Sequence, residues 1–160
     1  QDHQAVRWAI TVTGLQAFAD RDVAQLSGGE RQRAWIALAL AQDTPLLFLD
    51  EPTTYLDIGY QLEVLHLVQA LNREHGITVV MVLHDLNQAA AYADRIVCLH
   101  DGTIVADGAP NDVITPELLH DVFRVNASIV QDPVTGRPVF LAHNPVSGTP
   151  DVTSKAAGEQ

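Results

Sequence analysis

Two apolar rhythms alternate along the first half of this chain. From Gly28 to Gln42, Trp35, Ile36, Leu38 and Leu40 stand among four alanines. This pattern predicts a helix that is apolar on most sides and therefore buried, with Pro45 as its stop. Leu46–Leu49 is then an unbroken apolar run bounded by turn residues, the pattern of a buried parallel strand. Leu62, Leu65, Leu67, Val68 and Leu71 recur at helical spacing over 58–75, and Gly76 supplies the stop. The β-branched run 77–83 predicts a second buried strand. Strand–helix–strand order of this kind implies an α/β fold with a right-handed crossover between parallel neighbours.

The flanking segments are shorter. Residues 3–19 predict one helix and a turn at Gly14, and 86–93 a short helix. Asp101-Gly102 between 95–100 and 103–106 is a two-residue hairpin signal. Residues 112–123 predict one or two short helices around Pro116. Residues 128–131 and 139–142 flank "DPVTGRP", a longer hairpin. From about Asn144 the composition turns to Pro, Gly, Ser and Thr, the pattern of a disordered tail.

Composition narrows the class. The 160 residues carry a formal net charge of -11, which excludes nucleic-acid binding through a basic face. The single cysteine, Cys98, leaves no disulfide framework and fits a reducing compartment. No apolar run reaches the ~18–20 residues a membrane-spanning helix needs, and no signal peptide is seen. The first residue is Gln1 rather than Met, as expected of a piece of a longer product.

Three short constellations carry candidate chemistry. In "LSGGE", Ser27 and Glu30 stand at the spacing of a capping box. Capping leaves Gly28 and Gly29 unexplained, because each costs ~1 kcal/mol in a helix relative to alanine. Glycines there allow a ligand close to free backbone N–H groups at the positive end of a helix dipole, so phosphate binding stands beside simple capping. In "LLFLDEP", Asp50 ends the apolar run, at the strand edge where open α/β sheets bind ligands. Its hard oxygens suit magnesium, and Glu51 beside it could polarise a water for attack on phosphorus. The alternative is a pair of solvated acids. In "VVMVLHD", His84 ends the next strand, and if the two strands are neighbours it shares an edge with Glu51. The remaining histidines form no i, i+4 pair and have no cysteine partner, so no zinc site is expected.

Taken together, "LSGGERQR", "LLFLDEP", "TTYLD" and "VLHD" resemble, in order and spacing, the signature motif, Walker B, D-loop and H-loop of ATP-binding cassette (ABC) ATPases. The resemblance covers about residues 3–142. "EPTTYLDIGYQLEVLHLV", "HDLNQAAAYADRIVCLHDGTIVADGAP" and "DPVTGRPVF" look most like the ATPase subunits of iron(III)-siderophore, haemin and cobalamin importers. The resemblance implies a partial P-loop NTPase fold, with a mostly parallel sheet, flanking helices and C-terminal β-hairpins. It implies ATP and Mg²⁺ as ligands, with Asp50 on the metal, Glu51 as the catalytic carboxylate and His84 on the γ-phosphate. Ser27, Gly28, Gly29 and Glu30 would serve ATP held by the opposite subunit of a head-to-tail dimer, and Asp57 would cross the same interface. An integral membrane permease is the other implied partner, at the cytoplasmic face of the inner membrane. On this reading 1–44 ends the helical subdomain and holds the signature helix. Residues 45–125 are the Walker B, D-loop and H-loop part of the catalytic core, 126–143 a hairpin and 144–160 the tail.

One part of the family pattern is not found. The only lysine is Lys155, and no G-x-x-x-x-G-K-[ST] occurs in these 160 residues; the glutamine loop and adenine-stacking aromatic are missing as well. The chain is therefore expected to be the C-terminal part of a subunit, inactive alone and exposing apolar sheet surface. Two other readings are a non-catalytic remnant or interaction module, and the C-terminal half of a chromosome-maintenance or repair ATPase. The acidic balance and the lack of a heptad run speak against the last.

Overall fold

The computed structural model describes residues 2–146. They form two compact units, divided between His84 and Asp85.

The first unit runs α1 (Asp2–Val12), α2 (Gly28–Leu40), β1 (Leu46–Asp50), α3 (Ile58–His75) and β2 (Thr78–Val82). The α1 helix stops at a turn whose Gly14 has φ 69°, as its sequence predicts. The α3 helix has both ends specified by single residues. The Asp57 side chain accepts from the Tyr60 N–H at the start, and Gly76 takes the left-handed conformation at the end. β1 and β2 pair in parallel, Leu46 opposite Thr78 through Asp50 opposite Val82. Ala9, Leu15, Ile36, Ala37, Leu40, Leu47, Val64, Leu71 and Ile77 form the core. Burying Leu71 and Ile36 contributes about 1.5–3 kcal/mol each.

Three expectations change here. Helix α2 ends at Leu40, short of Pro45, because the backbone tightens there and Asp43 then turns left-handed at φ 56°. Nor is α2 buried all round: Trp35 and Leu38 are 56% and 58% exposed. The strands are covered on one face only. Leu47 is buried and Leu49, Val79 and Met81 are partly so, whereas Leu46, Phe48, Val80 and Val82 lie open, because alternate residues face opposite sides of a pleated strand. The expected exposed apolar sheet surface is this outer face.

The second unit contains α4 (Leu86–Tyr92), a hairpin of β3 (Ile96–His100) and β4 (Thr103–Gly108), α5 (Pro110–Val113), α6 (Pro116–Asp121), and a hairpin of β5 (Val125–Gln131) and β6 (Pro138–Pro145). Both hairpins are antiparallel. Asp101 and Gly102 both have positive φ, the requirement of the tight turn their sequence signals. Ala90, Ile96, Val113 and Ile114 form the core. The Asn87 amide pairs with Phe140 as a strand would, accepting from its N–H at 2.9 Å and donating to its carbonyl at 3.2 Å. Arg137 donates to the Ala90 and Ala93 carbonyls, closing the end of α4. Cys98 is buried on β3, and burial pushes its thiol pKa up. Strand β6 reaches Pro145, so Asn144 and Pro145 are ordered rather than tail. The rest of the expected tail, 147–160, lies outside the described residues.

Candidate active site at the strand edge

The parallel pairing of β1 with β2 decides which residues meet. Neighbouring strands lie about 4.8 Å apart, so residues just past their ends fall within side-chain reach. Glu51 follows the last residue of β1, and His84 comes two residues after β2. Glu51 Oε1 lies 2.6 Å from His84 Nε2. The condition attached to His84 in the sequence, that the two strands be neighbours, is met.

Glu51 is held by more than this contact. Its φ is +48°, a left-handed conformation unusual for a residue with a Cβ, which turns the chain sharply at the strand end. The Thr54 hydroxyl donates to its Oε2 at 3.1 Å. The His84 contact, followed by the Thr54 hydroxyl, holds the Glu51 carboxyl below the ordinary glutamate range. A carboxylate offers about four lone-pair sites, so these two partners leave capacity for a water or a phosphate-bound group. Both side chains remain open to solvent, with His84 70% exposed and Glu51 40%. Asp50, the last residue of β1, is also exposed, on the outer face with Leu46 and Phe48.

The fit of Asp50 to a metal follows from its surroundings. No cluster of three or more His, Cys, Asp or Glu side chains that could hold a metal occurs among the described residues. One exposed carboxylate suits Mg²⁺, which keeps several waters and takes its other ligands from substrate phosphates. It does not suit a closed zinc site.

The second constellation lies at the start of α2. Ser27 Oγ accepts from the Glu30 N–H at 3.3 Å, and Glu30 Oε2 accepts from the Ser27 N–H at 2.8 Å, a complete capping box. The Ser27 backbone N–H is the main cause holding the Glu30 carboxyl below its usual range. The N–H groups of Gly28 and Gly29, at the first two helical positions, have no carbonyl within the helix to bond. Gly28 is exposed and Gly29 is buried. Asp57 is exposed at the N-cap of α3, its carboxylate already accepting from Tyr60 at 3.1 Å. The structure thus brings Glu51 and His84 into contact and binds Ser27 to Glu30. The Asp50 side chain joins neither pair.

Two residues of this region escaped the sequence reading. Thr54 stands three positions after Glu51, a spacing that could have flagged a hydroxyl folding back in a turn. Tyr60, whose ring lies over Gly29, gave no local signal, because its partner is 31 positions away and on another helix.

Comparison with known proteins gives the chain its relatives. Residues 1–54 match the ABC transporter family. The chain is 49% identical over 144 residues to the iron(3+)-hydroxamate import ATP-binding protein FhuC of Bacillus subtilis (strain 168), covering 90% of this chain and 54% of that protein. It is 50% identical over 141 residues to the ferric enterobactin transport ATP-binding protein FepC of Escherichia coli (strain K12), covering 88% and 52%. Among solved structures, an inward-facing transporter assigned to the metal-chelate ABC type superposes with a TM-score of 0.80 at 30% identity, covering 89% of this chain and 58% of the other. The chain spans about half the length of the curated relatives it matches.

Proposed function

Since this chain belongs to the ABC transporter ATPase family, with the α/β fold of P-loop NTPases, we propose that it is part of the ATP-hydrolysing subunit of an importer for an iron–siderophore or related metal chelate. The observation that carries the reading is the 2.6 Å contact between Glu51 and His84 at the C-terminal edge of two parallel strands. The names of the relatives support the chelate; the chain's own residues support the chemistry.

Each side chain has a distinct task in this proposal. Glu51 orients the attacking water. Its carboxyl is held ionised, which weakens it as a base, so its contribution rests on positioning and charge. His84 restrains Glu51 through one ring nitrogen and contacts the γ-phosphate. Ser27, Gly28 and Gly29 present a hydroxyl and two backbone donors to a phosphate at a helix N-terminus, where the dipole favours negative charge. That ATP is held by a second subunit in a head-to-tail dimer. Glu30 fixes the Ser27 backbone, and Asp57 lies at the same interface. Asp50 would hold Mg²⁺ through water. The metal, when bound, neutralises charge on the phosphates. The binding partners are the second ATPase subunit and a membrane permease, and the subunit works on the cytoplasmic face of that membrane. Among the described residues no helix is long and apolar enough to cross one.

The lysine-bearing phosphate loop does not occur in these 160 residues. The chain alone is expected to bind ATP weakly and to turn over negligibly. Assembled with a segment that supplies G-x-x-x-x-G-K-[ST], it is expected to hydrolyse ATP. Robust, contaminant-free hydrolysis by the chain alone, or none in the assembly, would refute the reading.

A further inference from the structure

The two glycines that open α2 are not equivalent. Gly28 is exposed, and a Cβ built on it would meet only Leu56 Cδ2, at 3.6 Å. Gly29 is buried, and its missing side chain leaves room that the Tyr60 ring fills. A Cβ on Gly29 would stand 2.4 Å from Tyr60 Cδ1, 2.8 Å from Cγ and 3.0 Å from Cε1. Such distances lie far inside van der Waals contact, so an alanine requires the ring or the helix to move.

The backbone that carries the ring is held. The Tyr60 N–H is bonded to the Asp57 carboxylate at 3.1 Å, which fixes the first turn of α3. One turn along each helix from this contact, Arg33 pairs with Glu63. Contacts at 29–60 and 33–63 therefore hold α2 and α3 in one register, in the way ridges seat in grooves. Leu56 and Tyr60 both lie within the ten residues 51–60, so one short segment links the strand-edge carboxylate to the start of α2.

We infer that Tyr60 is a positioning residue. Its ring, seated on Gly29, sets the direction of the Gly28 and Gly29 N–H groups and the Ser27 hydroxyl. The inference rests on the phosphate-donor role given to these groups above. It gives Gly29 a reason distinct from close approach of a ligand, which Gly28 alone then serves. The flat ring fills the space, so phenylalanine can replace Tyr60 and alanine cannot.

The test is ATP hydrolysis by the assembled ATPase carrying Gly29→Ala, Tyr60→Ala, Tyr60→Phe and the double variant Gly29→Ala/Tyr60→Ala. Displacing donors by the overlap is expected to lower kcat about 10- to 100-fold in Gly29→Ala, with KM for ATP little changed. Tyr60→Ala is expected to lower kcat less, Tyr60→Phe to match the parent, and the double variant to recover to the Tyr60→Ala level. If Gly29→Ala is as damaging beside Tyr60→Ala as it is alone, the glycine serves ligand approach and the inference fails. It fails equally if Tyr60→Ala keeps the parent kcat. Should Gly29→Ala not fold, Tyr60→Ala against Tyr60→Phe decides. Amide hydrogen exchange at the buried Gly29 needs no ATP: it should speed up in Tyr60→Ala and not in Tyr60→Phe. That readout separates failure of this inference from failure of the ATPase reading, which no hydrolysis by the parent assembly would signal.

Discussion

The start of α2 and the loop after β1 reach their geometry by opposite routes. At α2 every bond of the capping box spans three residues, Ser27 to Glu30 and back. Those two bonds form wherever the helix forms. At the strand edge the decisive bond joins Glu51 to His84, 33 positions apart, and exists only because β1 and β2 pair in register. The capping box is specified by neighbours in sequence, the strand-edge contact by tertiary structure. The local site should therefore tolerate perturbation of the sheet, while the strand-edge site should not.

Substitutions can break or sharpen this contrast. The largest effect is expected from Glu51→Gln, which keeps shape and removes charge. Turnover of the assembled ATPase should fall by about 10²–10⁴-fold, with ATP binding retained, in steady-state kinetics and nucleotide titration. Equal turnover in the variant would remove Glu51 from the mechanism. Next comes His84→Ala, which deletes the distant partner. The Glu51 pKa should rise toward the ordinary glutamate value, followed through its carboxyl carbon by NMR. The sign is fixed by linkage. A carboxyl whose pKa is lowered on folding adds stability above its unfolded pKa and loses it as pH falls through the folded value. The pH dependence of unfolding in the acid range below the usual glutamate pKa should thus flatten in the variant. Thr54→Val should shift the same resonance in the same direction by less, since the histidine is the larger cause. The smallest effects belong to the local caps. Ser27→Ala and Asp57→Ala should each lower stability by about 1 kcal/mol in urea unfolding and leave the Glu51 titration unchanged. A Ser27 variant that moves that titration would show the two sites to be coupled.

What could be seen in the sequence follows the same division. The capping box, the Gly76 stop, the Asp101-Gly102 turn and both hairpins depend on residues a few positions apart, and they stand where their patterns put them. The Glu51–His84 contact was legible only conditionally, because pairing of the two strands had to be assumed. Burial was misjudged where it depends on what lies across a face. Trp35 and Leu38 read as core from periodicity, yet periodicity reports only that a face is apolar and not that anything covers it. The clash that demands glycine at 29 was invisible for the same reason, since nothing around Tyr60 in sequence points to it. The left-handed turn at Glu51 was equally hidden, because glutamate is not a residue that signals such a conformation.

The buried thiol on β3 gives the second unit a built-in clock. Cys98 is the only cysteine in the chain, and its burial and raised pKa leave little thiolate for a labelling reagent to find. Modification is then expected to follow local opening around β3, so the labelling rate reports openings that expose this strand. Any ligand or subunit that tightens this unit would register as a slower reaction at one sulfur atom, without a tag or an engineered probe.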